Sequence, residues 1–323
     1  MASLVTGVGY IGAALLRRLV ERGSSEPIVA LENSFCTSRE DVARALPAEA
    51  RLIEGDVADP GTVARAFDAL EQGQPRARTR TTTVFHLAAQ PSASIAASDP
   101  HTTERTNLVG ARVLLEAARE RGARVVFGGS FRVYGDDLVG QTVTEATPYG
   151  KVGDLSHLSK IYVEQLARML GLPFISVRLG VVYGLSPIMK TDPPFMTVPN
   201  LLCKRAAEGH SLHVQQDRPL AFIHVDDAAE ALLAAAELVH TDRVDPYQVA
   251  NATSEVVTIG QLARTVQRIG ERRGARVSIL GAAASEASYA VRSRLAAETG
   301  FRPRRTLEDG LGEVFDLFSG GAT

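Results

Sequence analysis

The sequence predicts an α/β fold: a Rossmann-type, doubly wound parallel sheet with a smaller C-terminal substrate lobe. Three observations carry that expectation. The apolar run Leu4-Val5-Thr6 ends in glycines spaced G-x-G-x-x-G (Gly7, Gly9, Gly12), and a helical pattern opens at once, with Ile11, Leu15, Leu16 and Leu19 on one face. A second apolar strand, Ile28 to Leu31, ends in Glu32, 20 residues after Gly12. Strand-like and helix-like stretches then alternate to about residue 180, which implies parallel strands with helices on both faces and ligands at the strands' carboxyl ends. Glycines at that spacing allow a tight turn, a close approach of backbone to a pyrophosphate, and close packing of helix on sheet. The helix N-terminus supplies free N–H groups to phosphates, and an acid at the Glu32 position grips an adenosine ribose.

The elements follow in order. A helix is expected over 38–46, a strand over Arg51 to Asp56, a helix from Pro60 to Leu70 and a strand over Thr83 to Leu87. A helix over 106–121 places Leu108, Leu114, Leu115 and Ala118 at helical spacing; Val125 to Phe127 is a strand, 157–170 a helix, and Phe174 to Arg178 a strand. The rhythm breaks after Gly184, where Pro187, Pro193, Pro194 and Pro199 mark an irregular loop over 185–200. Beyond it the pattern predicts a helix over 200–208, a strand over Ala221 to Val225, a helix over 227–239, a strand over 246–251, helices over 258–273 and 286–299, and a polar tail after Leu317. Residues 1–180 are thus the expected dinucleotide-binding domain, with strand and helix returns near 221–251, and 181–323 the smaller, partly interleaved lobe.

At 323 residues the chain can build two lobes, and 45% hydrophobic with 22% charged residues describe an ordinary globular protein. A formal charge of −2 provides no basic field for nucleic acid or anionic membrane. Arg76, Arg78 and Arg80 cluster on a polar connector that reads as a solvated loop, and Ala282 to Ala284 are too short for low complexity. Two cysteines, Cys36 and Cys203, form no disulfide framework and have no metal-ligand spacing, so both are expected to be inert and no metal site is expected. Met1 leads directly into strand and glycine loop, leaving no room for a targeting segment, and no apolar run reaches the ~20 residues of a membrane span. The expected compartment is the cytoplasm.

By residue 90 the chain resembles the extended short-chain dehydrogenase/reductases, in their nucleotide-sugar epimerase/dehydratase branch. The matching blocks are Val5-Thr6-Gly7 with Tyr10-Ile11-Gly12, Glu32-Asn33, Gly55-Asp56-Val57 and His86-Leu87-Ala88-Ala89-Gln90. The family's glycine loop usually carries one more residue between its first two glycines. The resemblance implies NAD as cofactor. It would be held by Gly7, Gly9, Tyr10, Ile11, Gly12, Glu32 and Asn33 at the ribose and phosphates, by Asp56 and Val57 at the adenine, by Leu87, Ala88, Ala89, Gln90 and Asn107 along the strand ends, and by Lys160 at the nicotinamide ribose. Arg39, near Glu32, could instead accommodate a 2′-phosphate.

The family's chemistry lies on a Ser/Thr and a Y-x-x-x-K pair. Gly129-Ser130-Phe131 resembles the segment that carries the catalytic serine, so Ser130 takes that role; Tyr134 fits the family's structural tyrosine. Ser159-Lys160 with Glu164-Gln165-Leu166 matches the lysine helix, but the residue four before Lys160 is Ser156, not tyrosine. A serine hydroxyl cannot replace a phenolate without a separate base. On a helix Ser156 and His157 both share the face of Lys160. The acid–base candidates are therefore His157, then Tyr149 in Thr147-Pro148-Tyr149-Gly150, then Ser156 with water.

The substrate blocks also depart from the family. Val181 stands where R-x-x-N-V-Y-G has its asparagine, and Leu220-Ala221 stand where the family has Arg-Asp; Arg218 or Arg292 could supply the missing diphosphate contact, with Gln90 and Arg132 as further substrate residues. The resemblance implies a UDP-, TDP- or GDP-linked sugar as substrate, a homodimer through two-helix packing, and epimerisation through a transient keto-sugar. A keto-sugar reductase and a catalytically silent NAD binder are the alternatives. Dehydration ranks lower, because the dehydratase branch places acids beside the Ser130 position and this chain has Gly129 and Phe131.

Overall fold

The computed structural model describes residues 2–23, 26–72, 82–239, 245–281 and 285–320. Arg76, Arg78, Arg80 and Ala282 to Ala284 lie outside the described residues. In chain order the strands are β1 (Ser3–Thr6), β2 (Ile28–Glu32), β3 (Ala50–Glu54), β4 (Thr83–His86), β5 (Arg124–Ser130), β6 (Thr142–Val143), β7 (Phe174–Leu179), β8 (Val181–Tyr183), β9 (Leu212–Val214), β10 (Pro219–His224), β11 (Tyr247–Ala252), β12 (Glu255–Thr258), β13 (Ile279–Gly281) and β14 (Ala290–Val291).

Seven strands form one parallel sheet in the order β11-β7-β5-β4-β1-β2-β3. Strands β1, β5 and β7 are buried almost throughout because helices cover both faces. One face packs Leu15, Leu16 and Leu19 of helix Tyr10–Glu21 against Ala228, Leu232 and Ala235 of helix Val225–Leu238. The other packs Phe67 of Pro60–Glu71, Leu114 and Leu115 of Ala111–Glu120, and Val163 of Leu155–Leu170. The chain leaves β1 toward β2 on one side and pairs it with β4 on the other, so the sheet's switch point lies between β1 and β4. A crevice opens there at the carboxyl ends of the strands.

The expected strand at 221–225 forms as β10, but it pairs with β8 and β12 in a separate three-stranded sheet. Only helix Val225–Leu238 and β11 return to the large sheet. Around the small sheet, helices Val198–Ala207, Ile259–Arg272 and Leu307–Phe318 bury Cys203, Leu262, Val266, Leu311 and Phe315.

Two expectations fail here. Residues 286–299 are not one helix: Tyr289 is buried against Phe131, β14 pairs with β6, and a short helix, Arg294–Thr299, starts only at the Ser293 cap. The helix Leu307–Phe318 was hidden by Gly310 and Gly312, residues of low helix propensity. Gly310 is demanded by packing, since a Cβ there would stand 2.6 Å from the His224 ring. The predicted helix at 106–121 begins as a π-helical segment, Glu104–Gly110, before Ala111–Glu120.

Candidate active site

The crevice at the switch point has a volume of about 350 Å³. Its floor is the glycine loop. Gly7 has φ +86°, and a Cβ on it would stand 2.7 Å from the Ala88 nitrogen; a Cβ on Gly12 would stand 1.9 Å from the Gly7 carbonyl oxygen. Only glycine fits either place. A Cβ on Gly9 would meet only the Lys190 ammonium at 3.8 Å and the Thr37 hydroxyl at 3.9 Å, ordinary contacts that leave Gly9 free of the clashes at Gly7 and Gly12. Gly9 is the N-cap of helix Tyr10–Glu21, and no side chain caps that helix, so its first N–H groups are left for a ligand anion. Glu32 closes the loop: its carboxylate accepts from Val8 N at 2.6 Å and from Asn33 N and Ser34 N at 3.0 and 2.8 Å. Asn33 accepts from Phe35 N and also lines the crevice, as do Ile11, Val57, Leu87, Ala88 and Ala89.

At the other end of the crevice Ser130, Arg132, Ser156, His157, Lys160 and Val181 come together. Ser130 ends β5, and its Oγ accepts from Arg132 N at 3.3 Å. Lys160 donates to the Gly128 carbonyl at 2.9 Å and lies over the Phe127 ring at 4.7 Å; burial pulls its pKa down to about 8, against the opposing pull of Glu164. Helix Leu155–Leu170 starts on Asp154, whose carboxylate accepts from His157 N and from His157 Nδ1 at 2.7 Å. Burial raises the Asp154 pKa, but the His157 hydrogen bonds outweigh it and hold the acid below its ordinary value. An ionised Asp154 makes Nδ1 the donor and leaves the lone pair on Nε2.

The sequence profile described as NAD dependent epimerase/dehydratase family matches residues 3–250. The chain belongs to this family. The relatives it resembles carry different reactions. UDP-glucuronic acid decarboxylase 6 of Arabidopsis thaliana is 29% identical over 282 residues, covering 83% of this chain and 74% of that enzyme. dTDP-glucose 4,6-dehydratase 1 of Escherichia coli (strain K12) is 27% identical, covering 98% and 92%. Among solved structures, the UDP-glucose 4-epimerase of Thermus thermophilus in complex with NAD superposes with a TM-score of 0.77 at 25% identity over the whole of both chains.

The family's cofactor is NAD, and the residues fit it: an uncapped helix start behind a glycine loop for the pyrophosphate, and the Glu32 carboxylate for a ribose. Arg39, the candidate for a 2′-phosphate, pairs with Glu54 at 3.3 Å and does not line the crevice.

Several expected site residues have other partners in this family member. Tyr10 turns its hydroxyl away, donating to the Gly184 carbonyl at 2.6 Å and accepting from Asn200. Asp56 pairs with Arg105 at 2.9 Å and caps Ala58 N; Gly55 and Val57 face the crevice in its place. Gln90 lines the crevice, but its amide is engaged by Ser92 and Thr103. Asn107 clamps both backbone groups of Gln90 and the Ser159 hydroxyl, so it positions the β4 loop against the lysine helix.

Tyr149 is removed from the candidate bases. Its hydroxyl donates to Glu164 at 2.7 Å and accepts from Gln165, within a buried network where Glu164 pairs with Arg178 at 2.6 Å and accepts from Ser176 and Tyr247. Burial and then the Glu164 charge push the Tyr149 phenol up. Arg218 pairs with Asp136 at 2.5 Å, and neither Arg218 nor Arg292 lines the crevice. Tyr134 donates to Asn251 and is buried, the structural part expected of it.

Asp154 as partner to His157 was missed, although an Asp three residues before it is an N-cap signal that could have found it. Also unforeseen were Cys36, Thr37, Lys190, Phe195 and Thr197 in the crevice wall. Cys203 is buried in the second lobe. Among the described residues no group of His, Cys, Asp or Glu is placed to hold a metal ion, and no helix is long and apolar enough to cross a membrane.

Proposed function

We propose that this chain is an NAD-dependent nucleotide-sugar epimerase acting through a transient keto-sugar. The observation that carries the reading is a single oriented acid–base group, His157 on Asp154, beside Lys160 and Ser130. NAD, held by the glycine loop and Glu32, would supply a reversible hydride acceptor for a sugar carbon. His157 Nε2 removes the proton of the hydroxyl being oxidised and gives it back after the ketone has turned its other face. Ser130 donates to that oxygen, and the Lys160 ammonium stabilises negative charge on it. Ser156, with its small hydroxyl where the family has a phenol, leaves this proton traffic to its neighbour. One base suffices for epimerisation, because the proton removed is the proton returned.

Dehydration has less support. Glu32 is the only carboxylate among the described residues lining the crevice. It ends β2, three strand spacings from Ser130 on β5, or about 14 Å at the usual ~4.8 Å per strand. A second reading, decarboxylation of a nucleotide-linked uronic acid, is favoured by Arg132. This residue lines the crevice beside Ser130; its Nη2 pairs with Asp136 at 3.3 Å, and its Nε is buried without a partner. A 4-keto uronic acid is a β-keto acid and loses CO2 without a further base, so the same His157 would serve.

The test is a panel of UDP-, TDP- and GDP-linked sugars, including uronic acids, followed by NMR of the product and by nicotinamide absorbance. Epimer formation is the expected result. Release of CO2 with a pentose product moves the assignment to the second reading. No turnover and no spectral change with any sugar makes the chain a silent NAD binder. Exposed Val109 on the π-helical segment Glu104–Gly110, with Leu158 and Met169 on helix Leu155–Leu170, supports a homodimer, checked by light scattering.

A further inference from the structure

The segment after β8 crosses from the second lobe to the glycine loop. It is pinned there at both ends of Tyr10: the Tyr10 hydroxyl donates to the Gly184 carbonyl, and Ser186 Oγ donates to the Tyr10 carbonyl at 2.5 Å. Six residues after Gly184, Lys190 reaches back over the crevice. Its ammonium donates to the Cys36 carbonyl at 2.8 Å and the Thr37 hydroxyl at 3.1 Å. It stands 3.8 Å from the point where a Cβ of Gly9 would be, on the side that glycine leaves open.

We propose that Lys190 is the cation that holds the cofactor's pyrophosphate, carried to the glycine loop by a strap from the other lobe. An ammonium has three donors, and two are used by neutral oxygens, so one is left for an anion. Among the described residues no carboxylate stands within ion-pair distance of Lys190. Burial pulls its pKa down from the ordinary lysine value, opposed by Cys36 and by the carboxylates of Glu32, Asp192 and Asp41, so an anion seated directly on the ammonium would add compensation that these groups only partly provide. The uncapped N–H groups of helix Tyr10–Glu21 face the same space as Gly9, and a pyrophosphate there meets helix dipole and ammonium together. The strap thereby couples cofactor retention to the docking of the two lobes. The inference rests on the family's cofactor and not on the sugar reaction, so it stands whichever reaction the chain performs.

The experiment is calorimetric titration of the full chain, native and Lys190→Met, with NAD, ADP, adenosine and 2′,5′-ADP at low and high salt. Lys190→Met should weaken NAD and ADP about tenfold or more at low salt, with a shallower salt dependence, and leave adenosine within about twofold of its native affinity. Lys190→Arg should restore most of the loss. NAD and ADP binding equal to native would overturn the inference and leave Lys190 a structural tie between loops. An equal loss for adenosine would overturn it too, since the Cys36–Thr37 loop would then have been the thing disturbed. Loss confined to 2′,5′-ADP would assign the cation to a 2′-phosphate instead.

Discussion

The two ends of the crevice obey different constraints. At the cofactor end the requirement is on backbone: Gly7 at φ +86° under the Ala88 amide, and Gly12 against the Gly7 carbonyl, admit no Cβ at all. At the reaction end the requirement is on functional groups: Ser130, Ser156, His157 and Lys160 line the crevice there, while Leu220 and Ala221 do not. A close backbone approach can be met by one residue type only. A proton acceptor can be supplied from any wall that reaches the substrate; in the proposed mechanism it is His157, next to Ser156 on helix Leu155–Leu170. The backbone contacts of Gly7 and Gly12 thus admit one residue type, whereas a proton acceptor can come from more than one side chain.

The sharpest way to break this comparison is at the glycines. Gly12→Ala drives a methyl to 1.9 Å from a carbonyl oxygen, an overlap the backbone can relieve only by separating helix from strand, at a cost of about 1–3 kcal/mol or more. It should lower Tm by several degrees and abolish NAD binding in calorimetry. Gly9→Ala, with nothing nearer than 3.8 Å, should keep Tm and lose affinity only by filling phosphate space. If both variants bind NAD as the native chain does, the cofactor end is not backbone-limited.

At the reaction end, His157→Ala should cut kcat by ~10²–10⁴ while NAD affinity and Tm hold. Asp154→Asn should give a smaller loss and a shifted pH profile, because the tautomer is no longer fixed. Unchanged kcat and pH profile in His157→Ala would remove histidine from the mechanism and leave Ser156 with water, since Tyr149 is held by Glu164.

These constraints also explain what could be read in advance. The parallel sheet, the helices on both faces and the glycine-loop contacts follow from periodicity and backbone limits that any one sequence displays. Side-chain allegiance does not. Nothing local distinguishes an Asp56 that meets adenine from one that pairs with Arg105, or a Tyr149 beside the lysine from one buried on Glu164. Lys190 was invisible for a related reason: it reaches Cys36 and Thr37 across more than 150 positions of sequence, along a proline-rich stretch whose path no period encodes. Helix Leu307–Phe318 was obscured because its glycines answer to packing against His224 rather than to helix propensity.

A smaller effect comes from Lys160. Its folded pKa is pulled down to about 8 by burial, only partly offset by Glu164, whereas an unfolded lysine titrates near ~10.4. Between those values the unfolded chain binds more protons than the folded one, so the stability contributed by this group rises with pH across that window. Measured by urea unfolding without cofactor, the native chain should therefore gain on Lys160→Met between about pH 8 and ~10.4. A constant difference would mean that the ammonium is not desolvated in the crevice.

The smallest expected effect is the most direct test of the contrast between the two ends. Ser156→Tyr restores the family's phenol one turn before Lys160, on the helix face that already lines the crevice. If the reaction end is a set of exchangeable groups around a fixed cofactor, a phenol beside a half-buried ammonium should titrate below its ordinary value of ~10 and share the proton traffic. Turnover should then change by less than about tenfold, well short of the ~10²–10⁴ expected for removing the base, and the pH optimum should move. In the His157→Ala background the same substitution should rescue part of the lost kcat, and that double variant decides the matter. Rescue means that the base can occupy either of two adjacent positions without altering NAD binding. Failure to rescue, in a variant that binds NAD and folds as the native chain does, means that the crevice has been reshaped around histidine and that the reaction end is as exacting as the glycine loop.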